Sequence, residues 1–188
     1  MTFFPKIPRK MKNIGRFFLL LAAVLMGGVS LSLSSCSSNK SADGPLPEGV
    51  NVREVPDVPL EGLFDAIVGS YPGKVVVVDL WATWCPPCKA AIIAHEPYKD
   101  NILKNEDLVF LYLTGETSPE EDWNYMIRGI RGEHCRVSAD QWKYICESFG
   151  IDGIPSYVIV NRDGTYSLRN DLRRKIVYVP AIRKALKK

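Results

Sequence analysis

Three hydrophobic patterns follow one another along the 188 residues of the chain. An unbroken apolar run from Phe17 to Val29 comes first. A stretch rich in Ser, Gly, Pro and Asp then reaches to about residue 59, and its composition predicts a flexible tether. From Leu60 onward the apolar positions alternate between helical and strand-like spacing, which predicts one folded domain over residues 60–188.

The clearest elements of this domain are a helix and a strand. Leu60–Ser70 has its apolar residues on one helical face, and Lys74–Leu80 holds the β-branched run of a strand buried on both faces. The remaining predicted elements are a helix from the cysteine motif to about Tyr98, a strand at Leu108–Leu113, helices at Ser118–Ile130 and Ser138–Gly150, a hairpin of Ser156–Asn161 and Thr165–Leu168, and a helix at Pro180–Lys188. This order predicts an α/β sandwich with a mixed β-sheet flanked by helices.

Local signals set several helix ends. In a capping box a Ser side chain accepts a backbone hydrogen bond while a Glu or Gln three residues later reaches back. Ser118 should cap one helix, with Pro119 at its first position, and Ser138 should cap the next, which Gly150 ends. The helix after the cysteine motif should end or kink near Pro97.

The N-terminal region has the layout of a bacterial export signal. Five basic residues and no acidic residue precede the apolar run, whose 13 residues are fewer than the roughly 20 that span a bilayer. Leu33-Ser34-Ser35-Cys36 resembles a lipobox, in which the cysteine is diacylated and becomes the mature N-terminus. We therefore expect a signal peptide at 1–35 and a lipidated Cys36 with a tether at 36–59. The alternative is an uncleaved anchor over Phe17–Leu33.

A lipidated cysteine also predicts where the protein resides. Two or three acyl chains hold a protein firmly at a membrane surface, here the periplasmic side of a bacterial membrane. Ser37, which follows Cys36, favours the outer membrane of a two-membrane bacterium.

The positive charge of the sequence belongs to the leader. The chain has 24 basic and 21 acidic residues, and because the leader holds five of the basic ones, residues 36–188 keep 19 against 21. A net charge of about −2 gives no electrostatic footprint for nucleic acid, so we expect no nucleic-acid partner.

Cys85-Pro86-Pro87-Cys88 lies where the predicted strand at 74–80 gives way to a helix. A helix N-terminus stabilises a thiolate, the reactive form of cysteine, through its dipole and its free N–H groups. Two intervening residues bring both sulfurs onto the first turn, close enough to form a disulfide. We therefore expect Cys85, next to Trp84, to be an exposed nucleophile and Cys88 to be the more buried resolving thiol.

A zinc site or a purely structural disulfide would be the alternatives. Zinc sites normally use four ligands, from a second Cys-x-x-Cys or from a pair of His residues. The chain has two His residues and neither lies in such a pair; we expect His95 on the solvated face of its helix and His134 in a loop. The sequence therefore indicates neither a metal nor another cofactor.

Two other cysteines could form a second disulfide. Four thiols of an exported protein can all pair. Cys146 shares a helical face with apolar residues, and Cys135 should lie in a short loop just before that helix, so a structural Cys135–Cys146 disulfide worth ~3 kcal/mol in the chain-entropy model is predicted. The alternative is two buried free thiols that behave as small apolar residues.

The segment from Val78 to Lys89, Val-Asp-Leu-Trp-Ala-Thr-Trp-Cys-Pro-Pro-Cys-Lys, resembles the active-site segment of the thioredoxin superfamily. With the lipobox and the tether, the chain is most similar to the membrane-anchored TlpA/ResA/DsbE-like group. The resemblance implies a thioredoxin fold with an inserted segment, at about Ser118–Val137, between the CxxC helix and the cis-Pro loop. It also implies a thiol–disulfide oxidoreductase that acts on thiols and disulfides of protein substrates and takes electrons from a membrane thiol carrier.

A second motif matches the same superfamily. Gly153-Ile154-Pro155-Ser156 resembles the loop whose cis-proline faces the cysteines and offers backbone groups to a substrate strand. A cis X–Pro bond is uncommon, at roughly 5% of cases, so this expectation rests on the resemblance. It implies that Ile154 and Pro155, together with Trp84, contact the substrate.

Asp79 matches the buried acid that the superfamily carries six residues before the first cysteine. In that position it would accept the proton of Cys88, whereas the alternative is a polar residue at a strand end. The chain departs from the TlpA/ResA-like pattern after the second cysteine, because Ala91 and Ile93 occupy the places where a Glu and a Pro are common. Glu96-Pro97 follows about one turn later.

Two rival functions remain, a non-catalytic thioredoxin-fold binding module and a peroxidase of the same superfamily. The intact cysteine pair argues against the first, and the residues before Cys85 lack the peroxidase-like Pro-x-x-x-Thr-x-x-Cys spacing. We expect a reductant, because Pro86 and Pro87 have no N–H and leave the Cys85 thiolate less stabilised than in strong oxidants.

Overall fold

A computed structural model describes residues 44–102, 104 and 107–188. The predicted signal peptide, the lipobox and Cys36 lie outside these residues. Within them, six strands form one mixed sheet: β1 (Val50–Val52), β2 (Val75–Leu80), β3 (Leu108–Gly115), β4 (Gly132–Val137), β5 (Ser156–Val160) and β6 (Tyr166–Leu168). The helices are α1 (Leu60–Gly69), α2 (Pro86–Ile102), α3 (Glu120–Ile127), α4 (Ala139–Phe149) and α5 (Lys175–Leu186), which a 3-10 turn at Asn170–Arg173 precedes.

The strand order across the sheet is β1-β4-β3-β2-β5-β6. β1, β4, β3 and β2 run parallel to one another, whereas β5 is antiparallel to β2 and β6 is antiparallel to β5. Helices connect the parallel strands, as such crossovers require. The predicted α/β fold with a mixed sheet is confirmed.

Side chains of β2 alternate between two apolar cores. Val75 and Val77 point to the face that α2, α3 and α5 cover, here called the α2/α5 face. Val76, Val78 and Leu80 point to the opposite face, which α1 and α4 cover and which we call the α1/α4 face. Burial on both faces explains why β2 reads as a continuous apolar run.

Two strands were missed by the sequence patterns. β1 pairs with β4, with Val50 opposite Gly132 and Val52 opposite His134, so the folded domain begins before Leu60 and the tether prediction is wrong from Val50 onward. A three-residue edge strand is too short to show a period, and β4 mixes buried with half-exposed residues. β4 and α3 occupy the segment that the resemblance implies to be an insertion.

Gly132 is required where β4 begins. Its φ is +145°, and a Cβ atom there would lie 2.8 Å from the carbonyl oxygen of Phe110 and 2.9 Å from the ring of Tyr112. Any other residue would have to push backbone aside, so the close approach of β4 to β3 depends on this glycine.

Two helices extend further than their prolines suggested. α2 continues past Pro97 to Ile102, and α5 begins at Lys175 with Pro180 inside it, whereas the sequence placed a helix end or a kink near Pro97 and a start at Pro180. A proline leaves the carbonyl four residues earlier without its helical N–H partner. Those residues are Ile93 and Ile176, which are both exposed, so water can replace the lost partner.

One of the two predicted capping boxes is present. The Ser138 side chain accepts from the N–H of Gln141, the Gln141 side chain accepts from the N–H of Ser138, and α4 ends at Gly150 in the left-handed conformation. For α3, by contrast, Pro119 is the cap and no side chain caps the helix. The Ser118 prediction is wrong because its hydroxyl is used elsewhere, beside the cysteine pair.

Candidate redox site

The cysteine pair lies at the carboxyl end of β2, where the chain turns into α2. β2 ends at Leu80 and α2 begins at Pro86, so Cys85 directly precedes the helix and Cys88 lies in its first turn. The two cysteines are joined by a disulfide, and their Cα atoms are 5.3 Å apart. The predicted pair is therefore brought together in its oxidised form.

Cys88 is buried, as expected, whereas Cys85 is less exposed than the sequence suggested. Cys85 is 3% exposed and Cys88 is 0% exposed, whereas the neighbouring Trp84 is 58% exposed. The prediction of an exposed Cys85 is wrong for this oxidised form, since its Sγ lies only 3.8 Å from the carbonyl oxygen of Ile154. Cys85 is nevertheless the more exposed residue of the two.

Few backbone N–H groups are available to the sulfur of Cys85. The N–H of Cys88 donates to Sγ of Cys85 at 3.2 Å. Pro86 and Pro87 have no N–H. The next N–H along the helix, that of Lys89, donates to the carbonyl of Cys85 at 3.2 Å instead. The start of α2 therefore directs one N–H at this sulfur.

The Ile154–Pro155 loop borders the disulfide from the side of β5. Its peptide bond is cis, as the resemblance implies. Arg173 Nε donates to the Pro155 carbonyl at 2.8 Å, and Ser156 Oγ donates to the Gly153 carbonyl at 2.7 Å, so hydrogen bonds hold the loop on both sides of the proline.

A groove of about 540 Å³ lies beside this loop. Trp84 and Ile154 line it at the redox end, and Trp142 and Ile151 line it further along. A polypeptide strand could therefore approach the disulfide between an exposed indole ring and the backbone of the loop.

Ser118 supports the segment before the cysteines. Its Oγ accepts from the backbone N–H of Thr83 at 3.1 Å and shares a 2.8 Å hydrogen bond with Oγ1 of Thr114. All three residues are buried. The Ser-Pro-Glu-Glu sequence predicted a helix cap, and nothing in it signals this contact with residues that are distant in the chain.

Asp79 is buried on the α2/α5 face, below the cysteine pair. Its partners across the sheet are Tyr112 on β3 and Tyr157 on β5. Burial raises the pKa of Asp79 to about 8, although the nearby Lys99 ammonium lowers it in part. Oδ1 of Asp79 has no hydrogen-bond partner among the residues that the structure describes. Asp79 is thus a buried carboxyl and not a solvated residue at a strand end.

A buried lysine lies on the same face and was missed by the sequence analysis. Nζ of Lys99 lies 2.8 Å from Oε2 of Glu96 and donates to the carbonyl of Arg131 at 2.8 Å. It also lies 4.7 Å from the ring centroid of Tyr112 and 5.3 Å from that of Phe110. The spacing of Lys99 from the buried residues of α2 could have placed it on the inward face of the helix.

Both histidines are buried, which contradicts the sequence predictions for them. His95 stacks on Tyr178 with ring centroids 3.7 Å apart, because it follows the apolar stripe of α2. His134 lies in β4, and its Nε2–H donates to the Ile130 carbonyl at 2.8 Å. Burial lowers the pKa of each to about 4, so both rings are neutral at pH 7.

The predicted Cys135–Cys146 disulfide is wrong, since both residues are free thiols in this structure. Cys135 lies inside β4 and not in a loop, and the strand fixes its side chain in the core of the α1/α4 face. Cys146 packs against the same core from α4. Burial raises the pKa of Cys135 to about 11 and also raises that of Cys146, so both remain protonated at neutral pH.

Across residues 44–102, 104 and 107–188, no group of three or more His, Cys, Asp or Glu side chains could hold a metal ion. No helix in this part of the chain is both long and apolar enough to cross a bilayer.

Comparison with known proteins identifies the family. A sequence model of the thioredoxin-like family matches residues 73–166, which is half of the chain. Thioredoxin-1 of Caenorhabditis elegans is 22% identical over 61% of this chain and 80% of its own length. The thiol:disulfide interchange protein HelX of Rhodobacter capsulatus is 24% identical over 63% of this chain and 66% of its own length.

Among solved structures, a thioredoxin-family thiol:disulfide interchange protein from Chlorobium tepidum matches with a TM-score of 0.50 and 22% identity. The match covers 63% of this chain and 84% of that one, and it supports the fold. The region that the family model matches includes β2, the joined cysteine pair and the cis-proline loop. The chain therefore belongs to the thioredoxin-like family and is a thiol–disulfide oxidoreductase.

Proposed function

We propose that this protein is exported, is held at a membrane by lipid on Cys36, and reduces disulfides of extracytoplasmic proteins. The observation that carries the redox part is the Cys85–Cys88 disulfide at the start of α2, bordered by the Ile154–Pro155 loop. When the pair is reduced it holds two electrons, and transfer of both to a substrate disulfide leaves the pair in this joined form.

Two exchange steps complete the transfer. The thiolate of Cys85 attacks one sulfur of the substrate disulfide, a mixed disulfide forms, and the first substrate thiolate leaves. Cys88 then loses its proton and attacks Sγ of Cys85, which breaks the mixed disulfide and releases the second substrate thiolate. The substrate has gained two electrons, and the protein has lost them in forming the Cys85–Cys88 bond.

The roles of the two cysteines follow from their surroundings. Cys85 is the more exposed residue of the two, and its sulfur accepts the N–H of Cys88, a contact that favours its thiolate. Cys88 is fully buried, so an incoming protein disulfide meets Cys85 first. Trp84 and Ile154, which line the groove, then hold the substrate strand together with the neighbouring Pro155.

Asp79 is the proton acceptor for Cys88 in this proposal. A buried thiol needs a nearby base, and proton transfer is most efficient when the pKa of that base lies near the working pH. Burial has raised the pKa of Asp79 to about 8, and Asp79 faces the same core as Cys88. The carboxyl is therefore able to take a proton and return it near neutral pH.

The single N–H at Cys85 supports the reducing direction. A strong oxidant has a heavily stabilised thiolate, which makes its reduced form reluctant to give up electrons. Here Pro86 and Pro87 remove two donors and Lys89 uses its own N–H elsewhere. The reduced pair should thus give up electrons readily, and outside the cytosol a membrane thiol carrier would have to replenish them.

The support for export and anchoring is the N-terminal sequence. A basic head, a run of 13 apolar residues and the lipobox-like Leu33-Ser34-Ser35-Cys36 occur in the order of a lipoprotein signal. Ser37 favours the outer membrane. In this proposal the protein belongs to the TlpA/ResA/DsbE-like group, and the mature chain begins at Cys36.

Reduction of insulin disulfides, with dithiothreitol as the electron source, tests the redox proposal. Cys85→Ser should abolish the activity, and Cys88→Ala should accumulate mixed disulfides on Cys85. Cys135→Ala is the matched control, because that thiol is buried on the other face of the sheet and should leave the activity intact. A Cys85→Ser protein that still reduces insulin would contradict the proposal.

Labelling of cells with radioactive palmitate tests the anchor separately. The wild-type chain should carry the label and sediment with membranes, whereas Cys36→Ser should carry none. Cys135→Ala again serves as the control and should remain labelled. Equal labelling of wild type and Cys36→Ser would rule out lipid on Cys36 without affecting the redox proposal.

A further inference from the structure

A fully buried ammonium lies on the α2/α5 face, which also holds the cysteine pair. Lys99 is 0% exposed, and lysine is almost never fully buried unless it is paired. Glu96 and the carbonyl of Arg131 hold its Nζ, each at 2.8 Å. The Arg131 guanidinium in turn pairs with Glu96 at 2.8 Å and with Asp100 at 2.7 Å. The position of the ammonium is therefore fixed by a network that reaches the surface.

Strand pairing brings this ammonium to the neighbourhood of Asp79. Tyr112 is the direct partner of Asp79 across the sheet, and the Lys99 ammonium lies 4.7 Å from the centroid of the Tyr112 ring. Asp79 is itself buried, and its Oδ1 has no hydrogen-bond partner within the described part of the chain. Burial lowers the pKa of Lys99, and its ion pair with Glu96 opposes that effect and favours the ammonium. The paired lysine and a buried, incompletely bonded carboxyl thus flank one tyrosine.

We infer that Lys99 is a positioning residue that acts through Asp79: its fixed ammonium controls how readily Asp79 accepts the proton of Cys88, and so sets the pH range in which Cys88 resolves the mixed disulfide. The inference rests on the proposed role of Asp79. An opposite charge favours the ionised form of a carboxyl, whereas burial favours the neutral form. Lys99 is the charge that partly offsets the effect of burial on the Asp79 pKa.

Other titratable groups face this pair from each element that packs around it. They are Tyr112 on β3, Tyr157 on β5, Tyr178 on α5, His95 and Glu96 on α2, Arg131 directly before β4, His134 within β4, and Arg173 in the 3-10 turn. Burial raises the pKa of each tyrosine and lowers the pKa of each histidine, so these five groups are neutral at pH 7. Arg131 is engaged by Glu96 and Asp100, and Arg173 by the Pro155 carbonyl.

Lys99→Met tests the inference, because it removes the charge and keeps an unbranched side chain. Carbon-13 NMR of the Asp79 carboxyl in the oxidised protein should show a higher titration midpoint in the variant. The pH profile of mixed-disulfide resolution should move in the same direction. If the midpoint rises by about one pKa unit, the low end of what a nearby opposite charge produces, resolution at pH 7 should slow about tenfold.

Two comparisons separate this effect from a structural one. Lys74→Met is the same substitution at an exposed lysine before the other end of β2, and it should leave both the midpoint and the profile unchanged. In an Asp79→Asn background, Lys99→Met should shift the profile no further. If Lys99→Met does not fold, Lys99→Gln keeps a donor for the Arg131 carbonyl and is measured in its place.

An Asp79 midpoint that does not move in the Lys99 variant would overturn the inference. So would an equal shift of the profile in the Asp79→Asn background, because Lys99 would then act through another group. Failure of the proposed function would look different, since Cys85→Ser and the wild-type chain would show the same absence of insulin reduction while the NMR midpoint could still be read.

Discussion

The buried carboxyl of Asp79 should make the folded protein less stable as the pH rises from about 4 to about 8. Burial raises the pKa of Asp79 from an ordinary 3.8 to about 8. Below pH 4 the carboxyl is protonated in both the folded and the unfolded chain. Between the two values the unfolded chain releases this proton and the folded chain keeps it, so a rise in pH favours unfolding. Above pH 8 the carboxyl is ionised in both states and its contribution has been lost.

The size of the effect follows from the two pKa values. One pKa unit corresponds to about 1.4 kcal/mol, so the interval from 3.8 to about 8 corresponds to a loss of about 5–6 kcal/mol of unfolding free energy. Domains of this size are stable by only about 5–15 kcal/mol in total. Relaxation and water entry reduce the penalty of a buried charge, so we expect a loss of at least about 2 kcal/mol.

Asp79→Asn isolates this contribution, because an amide has nearly the same shape and carries no charge at any of these pH values. Guanidinium unfolding of the oxidised wild type and the variant, at several pH values from about 4.5 to 8.5, gives the free-energy difference between them. The free energy of unfolding of the variant should increase relative to that of the wild type as the pH rises. His95 and His134 have lowered pKa values and stabilise the fold as the pH rises above about 4, but this contribution cancels between the two proteins.

Asp65→Asn provides the matched control for the same substitution. Asp65 is exposed on α1, so its difference from the wild type should stay level across the range. The reasoning would be refuted if the difference between Asp79→Asn and the wild type also stayed level, within about 0.5 kcal/mol, between pH 4.5 and 8.5. In that case Asp79 would titrate in the folded protein as an ordinary solvated carboxyl.

Two further predictions concern the surroundings of the cysteine pair. The reduction potential of the cysteine pair should lie nearer ~−270 mV, the thioredoxin value, than ~−120 mV, that of a strong oxidant. Equilibration with glutathione buffers measures this potential. A value above about −180 mV would contradict the argument from Pro86 and Pro87. Ser118→Ala should lower the free energy of unfolding by about 1–3 kcal/mol, because the N–H of Thr83 and the hydroxyl of Thr114 lose a buried partner. Chemical denaturation measures this loss, and Ser148→Ala, which removes only an exposed hydrogen bond within α4, should change the stability by less than about 0.5 kcal/mol.

Elements with a strong local pattern were predictable from the sequence. β2 and β3 are β-branched or apolar runs, and the β5–β6 hairpin has a turn with Gly164 at a positive φ. Elements that depend on a distant partner were not. β1 is three residues long and exists because β4 lies beside it, and β4 needs Gly132 for its close approach to β3. The ends of α2 and α5 were misplaced because each helix continues through a proline, and the carbonyl that loses its partner belongs to an exposed residue in both.

The residues of the candidate site also fall into those that the sequence could predict and those that it could not. The cysteine pair, Trp84 and the Ile154–Pro155 loop are read from contiguous motifs, and the structure places them together. Ser118 was misassigned and Lys99 was missed, because the groups that they contact, the Thr83 N–H and the Arg131 carbonyl, are remote in the chain. For Lys99 alone, its spacing along α2 was an available signal. The Cys135–Cys146 prediction failed for a related reason, since it assumed a loop where the sheet requires a strand. Spacing along a helix can indicate that two cysteines are near, but the direction of a side chain in a strand is set by the sheet.

The residues that break the burial rules are distributed unevenly between the two faces of the sheet. On the α1/α4 face the cluster of buried hydrophobic residues includes the Cys135 thiol, and the buried Ser156 of β5 on that side is polar but uncharged. The buried charged residues of the described chain, Asp79 and Lys99, both lie on the α2/α5 face, where His95 is buried as well. If these groups served only to fill space, apolar residues of similar volume would be at least as stable there. Their concentration on the face that holds Cys88 supports the proposed proton transfer through Asp79. If that proposal holds, the two sides of the sheet should respond differently to replacement of a buried residue by an apolar one of similar size. Replacements on the α1/α4 face should change stability alone, whereas replacement of Asp79 or Lys99 should change the pH dependence of the redox reaction even where the fold becomes more stable.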